Sequence, residues 1–342
     1  MQREITASGD LLDERGRLLT GGWARQLSLR YDRRRVAASP LRIKEWDYYE
    51  ITNPEYGIVL LVYDIGYQGR AVVKWMDFRA GTFEEHGPTL WLTRGAMRLP
   101  PSSESGDVVF RRGSVRWECR RGSGGLRTFD FSFPDFRAGV GLSGSLTLTQ
   151  ARGQDTIVNA IPFGRATRFV YAQKINCMVP EGRVRIGSEA YRFSKENNSH
   201  GCLDWSRAVF PYHVEWRWCT ASGAVGGVPF GLNIDYGFGT ESSKSMLFYD
   251  GVGHHLDEAR YSFDAGDVMR DWVFTDNEGR IDLRMRPVCV ERGGTNFVVL
   301  RMGVLKAYGF LIGRVGLDDG RIVEVRESDR LFGSAEAVVN YW

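Results

Sequence analysis

Between residues 200 and 223 the chain gathers Asp204, Arg207, Tyr212, His213 and Glu215 among Trp205, Trp216 and Trp218. Downstream, the stretch 230–237 adds Asn233 and Asp235. A carboxyl group walled in by indole and phenol rings loses hydration, which favours its neutral, proton-donating form. Such an acid can protonate an alkene carbon, the first step of a hydration or cyclisation. The cation formed needs π-faces, and Trp205, Tyr212 and Trp216 would supply them at roughly 0.5–2 kcal/mol each. Asp204 is the first candidate acid, Asp235 the second, and Arg207 the group that would orient Asp204. The same residues also admit a structural reading. A tight Asp204–Arg207 pair would pin a loop and oppose acid catalysis.

Two other functions compete. Trp46, Tyr48, Trp216 and Trp218, with Asn233, could line an aromatic pocket that carries or senses an apolar ligand without turnover, or they could be ordinary core. Glu45, Asp47, Glu215 and Asp235 beside aromatic platforms would suit a sugar. However, Glu45 and Glu215 fall on the strand face opposite Trp46 and Trp216, so one set must point away from any pocket. No metal site or cofactor is expected. His254 and His255 are adjacent, and His200 with Cys202 lacks a second ligand pair. The Arg30, Arg33, Arg34 and Arg35 cluster reads as a solvated turn before a phosphate site.

Positioning these groups falls to strands. Val115, Trp117 and Cys119 alternate with charges, as do Phe129, Phe131 and Phe133, Leu146 and Leu148, Val214, Trp216 and Trp218, and Ile281, Leu283 and Met285. Period-two patterning with one wet face predicts antiparallel strands. Turn signals such as 53–57, 121–125, 276–279 and 318–320 separate them. Gly is 41 of 342 residues, Pro only 11 and aromatics 13%, which fits many short strands joined by tight turns. The fold class is all-β.

The halves also resemble each other. Glu45-Trp46, Asp64 and Asp77 recur as Glu215-Trp216, Asp235 and Asp250, at offsets of 170, 171 and 173. A vaguer match sets Gly141–Gly144 against Gly309–Gly313. Duplication of a small barrel predicts two lipocalin-like antiparallel β-barrels, 1–175 and 176–342, each wide enough for a small ligand. The pocket is expected in or beside the second barrel, lined from 200–235.

The net charge of +3 favours neither nucleic acid nor an anionic membrane as partner. Lys occupies only six positions against 39 for Arg. Five scattered Cys in no redox or metal spacing suggest a reduced chain, expected in the cytoplasm. No signal peptide is visible at the N-terminus, and the longest apolar run, 58–63, is too short for an integral membrane segment. Oligomeric state is not readable.

Leu203-Asp204-Trp205-Ser206-Arg207, then Pro211-Tyr212, Trp216-Arg217-Trp218 and Ala221-Ser222-Gly223, resembles the domain-of-unknown-function family 2804. So do residues 11–16, 41–49, 230–233 and 318–320, so the resemblance runs along the whole chain. Ser206 and Ala208 stand where the family reads Gly, and Ala337 follows Glu336 where it has His. That family is distantly similar to carotenoid 1,2-hydratases, tocopherol cyclases and lipocalin-like cyclases. The resemblance implies a double lipocalin-like fold with an apolar pocket for a small-molecule ligand; it does not by itself imply a specific reaction, because function lives in the site rather than the fold.

Overall fold

Alternating apolar residues become the buried faces of two large antiparallel sheets in the computed structural model, which describes residues 3–238, 245–297 and 300–342. The first sheet uses β1 (Lys44–Thr52), β2 (Tyr56–Asp64), β3 (Gln68–Asp77), β4 (Thr82–His86), β5 (Val108–Arg112), β6 (Val115–Arg121), β7 (Leu126–Phe133), β8 (Leu142–Thr149), β9 (Arg165–Ile186) and β10 (His200–Ala208). The second uses β11 (His213–Val225), β12 (Val228–Tyr236), β13 (Ser245–Tyr249), β14 (Val252–Leu256), β15 (Arg260–Ser262), β16 (Trp272–Thr275), β17 (Ile281–Phe297), β18 (Leu300–Gly316) and β19 (Phe332–Tyr341). Among the described residues there is no α-helix, and no helix is long and apolar enough to cross a membrane.

The spatial order is β4-β3-β2-β1-β10-β9-β8-β7-β6-β5 in the first sheet and β14-β13-β12-β11-β19-β18-β17-β16-β15 in the second. In both, the last strand of the copy returns beside its first. Each sheet curls round its own apolar core, giving the expected all-β pair of lipocalin-like barrels. The first core is built from Tyr49, Trp75, Trp117, Phe129 and Trp205, the second from Leu232, Trp272, Phe274 and Leu311.

Strand order revises one detail of the duplication. Gly309–Gly313 lies in β18, which matches β9 by position, whereas Gly141–Gly144 leads into β8, one strand further out. The later strands instead match at an offset of 132, pairing Lys174 with Lys306 and Asp204 with Glu336. The first copy carries the longer insertion between its early and late strands, so no single offset serves both ends.

The expected boundary near 175 falls at a bulge inside β9, where the pairing to β10 shifts between Ile175 and Met178. Residues 176–208 stay in the first sheet, and sheet membership changes only between Ala208 and His213. The bulge grips the second sheet. Asn176 Nδ2 donates to Thr220 Oγ1 (2.9 Å) and to the carbonyls of Ala221 and Leu232 (3.1 Å each). Gly231 permits this approach, because a Cβ there would lie 2.8 Å from Cys177 Sγ and 2.9 Å from Asn176 Cβ.

Candidate functional site at the seam between the sheets

Side chains alternate across a strand, so β1 presents two faces. Tyr49 and Ile51 enter the first barrel's core, while Trp46 and Tyr48 pack in clusters shared with the second sheet. The same split on β10 sends Asp204 and Ser206 to the seam and Trp205 and Arg207 into the first barrel.

The seam holds two matched sets. In the first sheet, Lys174, Asp204 and Tyr48 are direct register partners across β9, β10 and β1. In the second, Lys306, Glu336 and Trp218 are partners across β18, β19 and β11. Lys174 Nζ lies 2.8 Å from Asp204 and 3.5 Å from Asp235 across the seam. Lys306 Nζ lies 3.3 Å from Glu336 and 2.8 Å from Glu50 across the seam. Each ammonium thus ties a carboxylate of its own sheet to one of the other. Both also lie near the Trp218 ring, at 4.4 and 4.9 Å from its centroid. Tyr48 meets Trp218 edge-on, with centroids 5.7 Å apart.

Indole donors complete the match. Trp46 Nε1 donates to Asp204 Oδ2 (3.2 Å), and Trp216 Nε1 donates to Glu336 Oε1 (3.1 Å). Ser206 Oγ donates to Asp204 Oδ1 (2.9 Å), and Trp218 Nε1 to Asn233 Oδ1 (2.8 Å). Glu50 accepts from Tyr48 (2.6 Å) and Ser334 (2.8 Å).

These partners decide the charges. Burial pushes the Lys174 ammonium down, but Asp204 and then Asp235 outweigh it, and the net shift is upward. Lys306 is held well above its ordinary value for the same reason, with Glu50 its strongest stabilising neighbour. Burial would raise the Glu50 carboxyl, yet Lys306, Tyr48 and Ser334 together hold it below the usual range. Burial and the adjacent Glu50 keep Tyr48 protonated. Lys174, Lys306 and Glu50 are thus held in their charged forms and Tyr48 in its neutral one.

A void of about 10 Å³ lies beside Glu50, His200, Cys202 and Phe332, about the space of one water. Toward the rim the packing becomes aromatic. Phe210 stacks near-parallel on Trp46, Trp216 and Trp342 at 6.0, 6.4 and 5.7 Å, and Trp216 on Phe238 at 6.2 Å. Trp46, Trp216 and Trp342 are only half-buried there. Asp204 and Glu336 keep 11% and 14% side-chain exposure, against 2% for Asp235 and 4% for Glu50.

Of the residues singled out from sequence, the seam brings together Asp204, Asp235, Trp46, Tyr48, Trp216, Trp218 and Asn233. Three stand apart. Arg207 does not orient Asp204, because a three-residue step along a strand reverses the face. It pairs with Asp47 inside the first barrel (2.9 Å) and lies over Trp205. Trp205 is fully buried core. Tyr212 is half exposed, edge-on to Tyr341. Among the described residues, the second barrel's interior is occupied by its own apolar side chains. Lys174, Lys306, Glu50 and Glu336 were not read as site residues. A signal was present: each Lys sits in a strand beside apolar residues, and each precedes its acid by 30 positions.

Other candidates resolve into pairs. Arg30 and Arg35 bind Asp10, Arg34 binds Asp32, and Arg33 reaches Glu45. His254 faces Asp318 (3.2 Å), and His255 stacks on Trp23. Glu45 and Asp47 are buried, and so are closed to a sugar.

Residues 2–342 match the family described as a domain of unknown function, DUF2804. No curated protein matches the sequence. Among solved structures, a protein of Nitrosomonas europaea designated AttH is similar at 13% identity, over 90% of this chain and 96% of that chain, with a TM-score of 0.50. CghA follows at 11% identity, 97% of each chain and a TM-score of 0.47. Kievitone hydratase from Nectria haematococca has 11% identity, 87% of this chain, 88% of that chain and a TM-score of 0.44. The first likeness is one of fold alone, and nothing about function follows from the other two.

Proposed function

We propose that this chain, which belongs to the DUF2804 family, binds an apolar small molecule, isoprenoid-like or polycyclic, at the aromatic rim of the seam. Asp204 is then the proton-transferring group in its hydration or cyclisation. One observation carries the reading. The two matched indole–carboxylate–ammonium sets meet at the rim, where half-buried rings lie beside the two seam carboxylates that keep some exposure. Flat apolar surface with a few placed polar groups is what a small-molecule site needs. In its neutral form the Asp204 carboxyl would give its proton to an alkene carbon, and the carboxylate left behind would take a proton back from the adding water or hydroxyl, while the faces of Trp46 and Trp216 steady the positive charge between the two steps.

The Lys174 contact with Asp204 at 2.8 Å favours a second reading, a carrier that binds without turnover, because a carboxylate held by an ammonium is a poor acid. Native mass spectrometry of protein from its own host identifies any retained compound. Tryptophan quenching by that compound, or by a polyene probe, then measures binding. Under the catalytic reading Asp204→Asn keeps quenching and loses turnover. Turnover unchanged in a folded Asp204→Asn protein sinks the catalytic role, and quenching unchanged in Trp216→Ala sinks the rim as the site.

A further inference from the structure

The odd-numbered face of β1, turned away from the seam, leads to a different feature. A cavity of about 340 Å³ opens at one end of the first barrel. Its walls are the glycine-rich turn 122–125 between β6 and β7, the turn 150–153 after β8, Ser103, Glu104, Arg121 and Arg127. Gly124 and Gly153 have φ of +69° and +74°, and a Cβ on either would meet nothing within 4 Å.

The charges around this cavity do not balance. Arg127 is buried on the inner face of β7 with Phe129 and Phe131. Nη1 donates to the Gly125 carbonyl (3.0 Å) and Nη2 to that of Ser103 (3.3 Å), while Nε has no partner. Among the described residues no carboxylate pairs with it. Arg121, equally buried, reaches Asp47 Oδ2 (2.5 Å) and also leaves Nε without a partner. Asp47 is shared with Arg207, and Glu45 is already taken by Arg33. Glu104 on the rim is exposed, and Asp107 accepts from the Arg121 backbone. Arginine cannot shed its proton, and a buried guanidinium without a counter-charge is costly. Its planar fork matches an oxyanion.

We infer that this cavity binds the oxyanion group of a small molecule, a carboxylate or a phosphate, on Arg127 with Arg121 beside it and Arg152 at the mouth. The site is independent of the seam reading. Thermal unfolding with inorganic phosphate and, separately, with propionate, each against chloride at equal ionic strength, tests it. A saturable rise in midpoint with one of them is expected, and which one identifies the anion class. Arg127→Gln should weaken that response at least tenfold. Arg152→Glu, an exposed charge reversal, should weaken it several-fold without moving the ligand-free midpoint. If Arg127→Gln fails to fold, Arg127→Lys keeps the charge, loses the fork and should show the same loss. No saturable response to either anion, or an undiminished response in the folded Arg127 variant, overturns the inference.

Discussion

The two barrels share a strand order but not an interior. In the first, Glu45, Asp47, Arg121, Arg127 and Arg207 are buried together at one end. In the second, the core is apolar from Leu232 to Leu331. Positions matched at an offset of 170 make the contrast direct. Asp47 is fully buried between two guanidinium groups, whereas Arg217 is half-buried; Tyr49 corresponds to Cys219, and both are fully buried. The seam behaves oppositely, with Trp46 and Trp216, Lys174 and Lys306, and Asp204 and Glu336 holding matched places. A duplicated sheet has thus kept its shared face and changed its private one.

The strongest test sets Asp47→Ala against Arg217→Ala. Removing Asp47 strands Arg121 and Arg207 inside the barrel, and losing one partner of a buried pair costs about 3–5 kcal/mol. Arg217→Ala should cost less than about 1 kcal/mol, as expected for a partly exposed side chain away from such a network. Urea unfolding reads both. Equal losses would mean that the two interiors do not differ in the way their burial implies.

Breaking the seam should come next. Lys306→Met leaves Glu50 and Glu336 without their cation, and Lys174→Met does the same to Asp204 and Asp235. Each should cost about 2–4 kcal/mol, less than the interior network because Asp204 and Glu336 retain some water. Adding Glu50→Gln to Lys306→Met should recover part of the loss. If one lysine is tolerated and the other is not, the two sets are not equivalent.

Much of this was legible in the sequence, for identifiable reasons. Strand faces at 115–119, 129–133 and 281–285 follow from alternation alone, because one face must leave water. The early half of the duplication was visible because tryptophan is distinctive and Trp46 and Trp216 have similar surroundings. The late half was hidden by the change of offset from 170 to 132. The partner of Asp204 was mistaken for a physical reason. Proximity in sequence suggested Arg207, but a strand turns neighbouring residues apart and brings together residues 30 positions distant. The cavity at the end of the first barrel has no local signature, since Ser103, Arg121, Arg127 and Gln150 come from four separate segments.

A smaller effect is expected from acid. Burial, and then Lys195, lowers His200 from 6.5 to about 4, and burial lowers His255 to about 4. Both imidazoles therefore stay neutral in the fold while the unfolded chain takes up protons below about 6.5. Stability should fall as pH drops from about 6.5 toward 4, and recover above it. Glu50, whose carboxyl is lowered, adds its own loss only at still lower pH. Melting midpoints at pH 7 and 5 should converge in a His200→Gln, His255→Gln double variant. An undiminished acid shift would place its origin elsewhere.

The smallest effect is the most pointed. Glu215 occupies the place of Glu45, and both precede a Trp that serves the seam. Glu45 is buried, bound by Tyr31 and Arg33, with Arg207 at 4.0 Å. Among the described residues Glu215 pairs only with His213, at 3.1 Å, and both side chains are about half exposed. An exposed pair of this kind is worth about 0–1 kcal/mol and needs a protonated imidazole even for that. Glu215→Gln should therefore change stability by less than about 0.5 kcal/mol at pH 7, within the usual range for surface substitutions. Glu45→Gln should cost several times more, because Arg33 and Arg207 lose a buried counter-charge. Two glutamates with the same neighbour and the same strand position would then differ only through what their barrels put opposite them. A large loss from Glu215→Gln would show instead that the second barrel's outer rim takes part in the seam.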